Sequence, residues 1–339
     1  MTTWEYIVGH DWAVDALRSA IHHGRVGHAY LITGPTQIGK TTLARTFAQA
    51  LNCVSTNPAD RPCGICRSCE LIAADRHPDV RLVSGEMSGR GKVTLKIDQI
   101  RQLQQVLNLT ATEARYKVAI LKQFDAANPS AANAFLKTLE EPPLNVVLLL
   151  TASDAETLLP TIPSRCRTIA LRPVAAPVIQ EALESEWRVD SEKATLLAHL
   201  ADGRIGWAVQ TAEDETVLAE REEQLAVLLQ TIDQSRVERF SVAERLAQKP
   251  EELPSLLKIW LSWWRDLVLI TVGQAANGSL TNIDQKNDLR RLAGRLPAGS
   301  AVTSLQKTEA SLMYLQRNAN TRLVLENLLL HYPALETDH

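Results

Sequence analysis

The strongest constraint on the fold of this 339-residue chain lies between residues 34 and 41. The sequence there reads Gly-Pro-Thr-Gln-Ile-Gly-Lys-Thr, which matches the phosphate-binding pattern G-x-x-x-x-G-K-[ST] at every fixed position. An apolar run, residues 29–33, leads into the loop, and Leu43, Phe47 and Leu51 follow it at helical spacing. Strand, loop and helix in this order distinguish a true phosphate-binding loop from a chance match. The sequence therefore predicts an α/β nucleotide-binding domain.

The residues of this loop have separate roles in holding a nucleotide. Gly34 and Gly39 let the backbone curl so that its N–H groups face phosphate oxygens, and the following helix adds its positive N-terminal end. Lys40 is expected to reach the β- and γ-phosphates, and the Thr41 hydroxyl to bind Mg²⁺, with Thr42 beside it in the predicted site. We therefore predict an ATP site that can take Mg²⁺; a loop that keeps its shape without nucleotide is the alternative.

The strand that should supply the acids for hydrolysis lacks them. Residues 118–121 run into Lys122 and Gln123, where an ATPase places an acid for the Mg²⁺ shell and a second group for the attacking water. The Lys122 ammonium repels a divalent ion. Gln123 can hydrogen-bond water but cannot take its proton. Asp125, three residues beyond Lys122, is the one acid nearby that could compensate. We therefore expect ATPase activity of this chain to be weak or absent.

Further apolar runs predict the rest of the sheet: Val80–Val83, Val118–Leu121, Val146–Leu150 and Thr168–Leu171. A helical pattern from Ile97 to Leu107 lies between the first two. Runs that are apolar throughout and alternate with helices indicate a parallel sheet buried on both faces. The sequence thus predicts an α/β phosphate-loop domain with a parallel sheet and flanking helices.

Only helical patterns follow Leu171. The sequence predicts three domains: a nucleotide-binding domain at 1–172, a small helical lid domain at 173–212 and an all-helical domain at 213–339. In the last of these, Trp260, Trp263 and Trp264 have apolar neighbours at helical spacing, so we expect a buried helix interface and not a nucleic-acid stacking surface. His28, just before the first strand, is expected to pack between helix and sheet.

Four of the five cysteines cluster at Cys53, Cys63, Cys66 and Cys69. Four thiolates at this spacing suit a tetrahedral Zn²⁺ ion with no open coordination position, which is the arrangement of a structural site. A set of unrelated buried thiols is the alternative. We predict a structural zinc that helps to fold the insert at about residues 53–69, between the helix of the phosphate-binding loop and the next strand.

Arg165 lies in Ser-Arg-Cys, just before the last strand of the predicted sheet. A lone loop arginine is usually a solvated surface residue. Ring ATPases, however, present an arginine near this point of the α/β domain to the nucleotide of a neighbouring subunit, where it stabilises charge on the transferred phosphoryl group. From the residues alone, both interpretations stay open.

Composition limits the remaining classes of function. The net charge of −3 argues against a self-sufficient nucleic-acid-binding protein, which usually carries a strong basic excess. No run of apolar residues has the length of a membrane span. The first residues lack the basic and apolar regions of a secretory signal, so we expect the protein in the cytoplasm.

Several segments resemble those of bacterial clamp-loader AAA+ subunits of the DNA polymerase III holoenzyme. Besides the phosphate-binding loop and the four-cysteine insert, they are residues 7–10, 28–31, 133–143, 164–166 and 318–323. Residues 133–143, Asn-Ala-Phe-Leu-Lys-Thr-Leu-Glu-Glu-Pro-Pro, together with Ser-Arg-Cys, are more specific to this family than the loop. The resemblance covers nearly the whole chain.

The resemblance implies an open ring of AAA+ subunits that uses ATP to load a sliding clamp onto primed DNA. It implies that Arg165 acts in trans on the ATP of a neighbouring motor subunit and that the four cysteines hold zinc. The last domain would be the oligomerisation collar. The implied partners are gamma/tau-type motor and delta-type subunits, with the clamp and primed DNA reached through the complex; no polymerase activity is implied for this chain.

The chain departs from the motor subunits of that family at two places. Lys122 and Gln123 replace the metal-binding and catalytic acids, and Gly206 falls where the motor subunits have a lid arginine. Both departures favour a non-hydrolysing ring subunit. Two alternatives remain: a hydrolysing motor in which Asp125 restores metal binding, and a zinc-dependent DNA-binding module that uses the nucleotide only as a ligand.

Overall fold

The computed structural model describes residues 3–87, 93–275 and 279–334. The chain forms two compact units by its internal contacts. The first comprises residues 1–182 and 203–207, and the second residues 183–202 and 208–339. The predicted boundaries of three domains stay a prediction.

The first unit is built on a parallel sheet. Its strands are β1 Ala29–Thr33, β2 Val80–Val83, β5 Lys117–Leu121, β6 Val146–Ala152 and β7 Arg167–Ala170, and a short antiparallel pair is β3 Glu86–Met87 with β4 Val93–Thr94. The spatial order of the main sheet is β2-β5-β6-β1-β7, with every neighbouring pair parallel. The predicted fold class and the positions of the five main strands are confirmed. β1 and β2 match the predicted residues, and the ends of the other three strands differ by one or two residues.

Both faces of this sheet are covered. Tyr30 and Ile32 of β1 belong to the same core as Phe47, whereas Leu31 points the other way and shares a second core with Phe135. This is the alternation of side chains along a strand. The helices of the unit are α1 Asp11–His22, α2 Lys40–Asn52, α3 Arg67–Ala73, α4 Ile97–Leu107 and α5 Pro129–Glu140, followed by the first seven residues of α6 Ala176–Ser185. His28 is exposed, so its predicted packing role is wrong.

The remaining elements of the described chain are helical. They are α7 Ser191–Leu200, α8 Ile205–Glu213, α9 Thr216–Asp233, α10 Arg236–Ala247, α11 Leu253–Thr271, α12 Lys286–Ala293, α13 Ser300–Gln316 and α14 Thr321–His331. Trp260, Trp263 and Trp264 of α11 are fully buried in the core of the second unit, which confirms their predicted role. No helix within the described ranges is long and apolar enough to span a membrane.

Candidate nucleotide and metal sites

The phosphate-binding loop follows β1 and ends at the first turn of α2. Gly34 has φ +140°, and a Cβ there would lie 2.7 Å from the carbonyl oxygen of Leu171, so both its backbone and its surroundings require glycine. Gly39 has φ +103° and caps α2 in the left-handed conformation. The loop therefore has the strand–loop–helix context predicted from the sequence, at the carboxyl edge of the sheet.

Lys40 lies at the start of α2 and folds back over the loop. Its ammonium donates hydrogen bonds to the carbonyl oxygens of Gly34, at 2.5 Å, and Pro35, at 2.6 Å. Burial lowers the pKa of Lys40, and the negative charge of Asp125 opposes that shift. Thr41 and Thr42, half-buried, complete the first turn. The predicted nucleotide-binding residues thus form one contiguous cradle, and nucleotide binding to them stays a prediction.

The carboxylate of Asp125 is fixed beside this cradle. Its Oδ2 accepts hydrogen bonds from the Ser153 hydroxyl at 2.5 Å and the Ser153 N–H at 3.2 Å. The carbonyl of Ser153 in turn accepts the N–H of Gly34 at 3.2 Å. Ser153, which no sequence pattern marked, therefore joins Asp125, in the 3₁₀ turn after β5, to the start of the phosphate-binding loop.

Lys122 and Gln123 lie where β5 ends. The Lys122 N–H donates to the carbonyl of Val83 at 2.8 Å, so its backbone continues the sheet for one residue. Because side chains alternate along a strand, Lys122 faces the same side as Ile120, whose core includes the residues of α2. Gln123 then turns out of the strand with φ +50°. The cation thus lies on the face of the sheet that carries the phosphate-binding loop.

Residues 203–207, the lid segment, contact the same loop. The Gly206 N–H donates to the carbonyl of Gln37 at 2.7 Å, and a Cβ at Gly206 would lie 2.7 Å from that oxygen. Gln37 itself has φ +61°. A backbone hydrogen bond therefore ties the lid segment to the crest of the phosphate-binding loop, and glycine is the residue that permits the approach.

The four clustered cysteines converge on one point in the first unit. The Sγ atoms of Cys53, Cys63, Cys66 and Cys69 all lie within 4.8 Å of one another. A tetrahedral ion with Zn–S bonds near 2.3 Å needs sulfurs separated by about 3.8 Å. The four thiols therefore fit such an ion after a small contraction.

Hydrogen bonds around the cluster favour thiolates. The N–H groups of Ser55 and Cys63 point at the Cys53 sulfur from 3.5 and 3.4 Å. Burial raises the pKa of the Cys66 thiol, but hydrogen bonds from the backbone of Val54 and Cys69 and from neighbouring thiols outweigh it and lower the pKa to about 7. Burial raises the pKa values of Cys53 and Cys69. A cation at the centre would offset that cost, since metal ligands bind as thiolates.

The cysteine insert is anchored to the helix of the phosphate-binding loop. Gln49 of α2 is fully buried, and its amide donates to the carbonyl of Cys69 at 2.8 Å. Trp4 donates from its indole N–H to the carbonyl of Arg61 at 2.7 Å on another side of the insert. The sequence showed the cysteines but not these two supports, which come from residues distant in the chain.

Arg165 ends a short 3₁₀ turn, Pro163–Arg165, before β7. Its Nη1 donates to the carbonyl of Thr161 at 2.9 Å and to the hydroxyl of Ser164 at 3.3 Å. Its Nη2 lies 2.7 Å from Oε1 of Glu140, the last residue of α5. About a third of the arginine side chain is exposed. The guanidinium is therefore held at the surface by three partners.

Arg165 and the phosphate-binding loop lie at opposite edges of the sheet. In the register of β1 with β7, Arg167 pairs with Tyr30 and Ala170 with Thr33. Arg165 thus precedes the amino end of β7, whereas the loop follows the carboxyl end of β1. Because these strands are parallel, the length of the sheet separates Arg165 from the loop of its own chain. This arginine does not complete the chain's own nucleotide site.

Two family models match the chain. "DNA polymerase III, delta subunit" matches residues 9–175, and "DNA polymerase III, delta subunit, C terminal" matches residues 215–333. A DNA polymerase III subunit delta' from Bacillus subtilis is 26% identical over 318 residues, which are 93% of each chain. The chain belongs to the DNA polymerase III clamp-loader family and is of the delta prime type. The predicted family is therefore confirmed.

Other members of the family match with higher identity over part of their length. The subunit delta' of Pseudomonas aeruginosa is 40% identical over 160 residues, 47% of this chain and 46% of that protein. The subunit tau of Salmonella typhimurium is 30% identical over 319 residues, 88% of this chain. The chain spans about half the length of this relative, 48%, and 55% of the tau subunit of Bacillus subtilis.

Solved structures with similar chains include two from Thermotoga maritima. A DNA polymerase III gamma subunit-related protein is 18% identical with a TM-score of 0.49, over 94% of this chain and 98% of that one. The RuvB Holliday junction branch migration motor is 16% identical with a TM-score of 0.44, over 67% of this chain and 66% of that one.

Proposed function

We propose that this clamp-loader subunit supplies Arg165 in trans to the ATP site of a neighbouring motor subunit and so takes part in loading a sliding clamp onto primed DNA. The main support is that Arg165 lies partly exposed at the edge of the sheet opposite its own phosphate-binding loop. A guanidinium at that position can reach a nucleotide only in another subunit. Gamma/tau-type and delta-type subunits are the proposed partners, within the cytoplasm.

The chemistry of the guanidinium suits this role. Charge spreads over the equatorial oxygens of the γ-phosphoryl group as the bond to the leaving oxygen breaks. Arg165 has a permanent positive charge and five N–H donors in a planar fork, which match phosphate oxygens. Arginines supplied in trans raise the rate of phosphoryl transfer by roughly three to five orders of magnitude.

The chain's own nucleotide site is proposed to bind ATP without hydrolysing it. Gly34, Gly39 and Lys40 form an intact cradle, which supports binding. Lys122 on the face of that cradle disfavours Mg²⁺, and no carboxylate stands at the end of β5, which together oppose hydrolysis.

A hydrolysing motor is the second candidate function, and Asp125 favours it. The carboxylate of Asp125 is held by Ser153 and is close enough to raise the pKa of Lys40 against the effect of burial. An ATPase assay of the isolated chain separates the two functions. Robust Mg²⁺-dependent turnover supports the motor and contradicts the proposal.

Zinc in the cysteine cluster is the third part of the proposal. Cys53, Cys63, Cys66 and Cys69 would hold the ion, which would neutralise buried thiolates and contribute folding energy without any catalytic step. The approach of the four Sγ atoms to within 4.8 Å supports this.

The trans role is tested in a complex reconstituted from this chain with the motor and delta-type subunits. Arg165→Ala should remove most of the ATP turnover of the adjacent motor site while the complex still assembles, as judged by size-exclusion chromatography. Arg115→Ala, which removes an exposed arginine before β5, is the matched control. Unchanged turnover with Arg165→Ala would remove the assignment.

A further inference from the structure

Helix α5 connects the two edges of the sheet. It begins directly after the segment that carries Lys122, Gln123 and Asp125 and ends at Glu140, beside Arg165. At its start, the side chain of Asn128 accepts the N–H of Ala131 at 2.7 Å. A helix of this length, about 18 Å, spans the depth of a small sheet. The carboxylate at its end is therefore mounted on a rigid element.

The apolar face of α5 fixes its position against the sheet. Ala131, Phe135 and Leu139 are buried to 1% exposure or less, and all three belong to the core that includes Leu31 of β1. Buried side chains of this kind resist displacement because interiors are close-packed. The backbone of Glu140 is fixed by the buried Leu139 before it, although half of the Glu140 side chain is exposed.

The ion pair between Glu140 and Arg165 is expected to add little to the stability of the fold. Ion pairs between half-exposed side chains contribute little to folding, since water competes for both charges. The contacts instead select one orientation of the guanidinium. The guanidinium donates one N–H each to Thr161, Ser164 and Glu140. Of its five N–H donors, two therefore have no partner within the described residues and can bind a ligand.

We propose that Glu140 is the positioning residue of Arg165: its carboxylate holds the guanidinium so that the remaining donors point at the neighbour's γ-phosphate. This inference rests on the proposed trans role of Arg165. Because Glu140 touches no reacting atom, it acts only through the arginine. Loss of alignment by about 1 Å can reduce a rate by as much as about a hundredfold, so orientation is worth more here than the stability of the pair.

The test uses the reconstituted complex and compares four substitutions in this subunit. The measured quantity is the part of the ATPase rate that Arg165→Ala removes. Glu140→Ala should lower that part of kcat by roughly tenfold, with the KM for ATP unchanged. Glu140→Gln keeps an oxygen that accepts the Nη2 hydrogen bond, so it should recover most of the rate. Glu141→Ala, at the exposed neighbouring residue, is the matched control and should change nothing.

A double substitution separates positioning from a general structural effect. In the Arg165→Ala background, Glu140→Ala should have no further effect on kcat, whereas a residue with an independent structural role would still lower it. A Glu140→Ala complex with unchanged or raised turnover overturns the inference while leaving the trans arginine in place. If Arg165→Ala itself leaves turnover unchanged, the proposed function fails, and the role of Glu140 fails with it.

Discussion

The N–H of Gly206 lies 2.7 Å from the carbonyl oxygen of Gln37 and donates a hydrogen bond to it. Gln37 is at the crest of the phosphate-binding loop and Gly206 is in the lid segment, 169 residues later in the chain. A Cβ at residue 206 would stand 2.7 Å from the same oxygen, closer than real Cβ contacts allow. The absence of a side chain at residue 206 is therefore what lets this lid segment hold the loop.

Gly206→Ala should break this contact. The added methyl group has to move away from a backbone oxygen, and we expect a loss of stability of about 1–3 kcal/mol together with weaker ATP binding. Amide hydrogen exchange at residue 206 and isothermal titration with ATP measure the two effects. Gly294→Ala is the control, because φ is −81° there and the nearest atom is 3.8 Å away. Equal protection and affinity in both variants would contradict the prediction.

Lys122→Asp with Gln123→Glu should restore a place for Mg²⁺. The change removes a cation on the face of the sheet shared with α2 and adds two carboxylates directly after β5. The variant should bind ATP about tenfold more tightly in Mg²⁺ than in the presence of a chelator. The unchanged chain should bind ATP with nearly the same affinity in both conditions. Titrations with and without Mg²⁺ measure this.

Lys258→Asp, on the exposed surface of α11, reverses one charge without altering the nucleotide site and serves as the control. If the unchanged chain already binds ATP more tightly in Mg²⁺, and the double substitution adds little, then Asp125 supplies the metal site. That result would favour the motor interpretation of the chain.

The features that the sequence predicted well are encoded within short windows. β1 and β6 are buried along their whole length because both faces of the sheet are covered, so their mostly apolar residues are visible as runs. The phosphate-binding loop is fixed by Gly34 and Gly39, whose positive φ values few other residues adopt. The cysteine cluster was predictable because its ligands lie within one insert.

The features that the sequence did not predict depend on contacts between distant segments. Glu140 was visible only as part of a family motif, and nothing in its neighbourhood indicates a bond to Arg165, 25 residues later. Gln49 is a polar residue of the kind usually found on a helix surface, yet it is buried because the cysteine insert folds over it. His28 is exposed to solvent, although the residues of β1 that follow it are buried. Such outcomes are decided by tertiary packing, which local patterns do not contain.

Cys66→Ser should abolish metal binding by the cluster and destabilise the insert. Because zinc binds the folded state and not the unfolded chain, its binding free energy adds to the free energy of unfolding. Loss of one of the four ligands therefore removes much of that contribution. Metal analysis should give about one zinc per unchanged chain and much less for the variant, with a lower Tm. Cys166→Ser is the control, since Cys166 lies outside the cluster. Less than one equivalent in the unchanged chain, with all four thiols reactive, would contradict the zinc site.

The first unit should become less stable in acid because the carboxylate of Asp79 is protonated there. Its carboxylate is buried and accepts the N–H groups of Thr112, Glu113 and Ala114 at 2.9–3.0 Å. Burial raises the pKa of Asp79, but these hydrogen bonds and the nearby His77 outweigh it and bring the pKa below the ordinary 3.8. A carboxyl group with a lowered pKa in the folded state stabilises the fold above the unfolded pKa, and this contribution disappears as pH falls through the folded pKa.

Asp79→Asn should therefore lower stability by about 2 kcal/mol at neutral pH, because the amide supplies one weaker acceptor in place of a charged one. Hydrogen exchange of the amides of Thr112, Glu113 and Ala114 reports the local opening free energy directly. The difference between the variant and the unchanged chain should shrink once pH falls below the folded pKa. Asp15→Asn, at an exposed residue of α1, should show no such difference at any pH. A difference for Asp79→Asn that stays constant as pH falls would show that the carboxylate's charge is not what stabilises the loop.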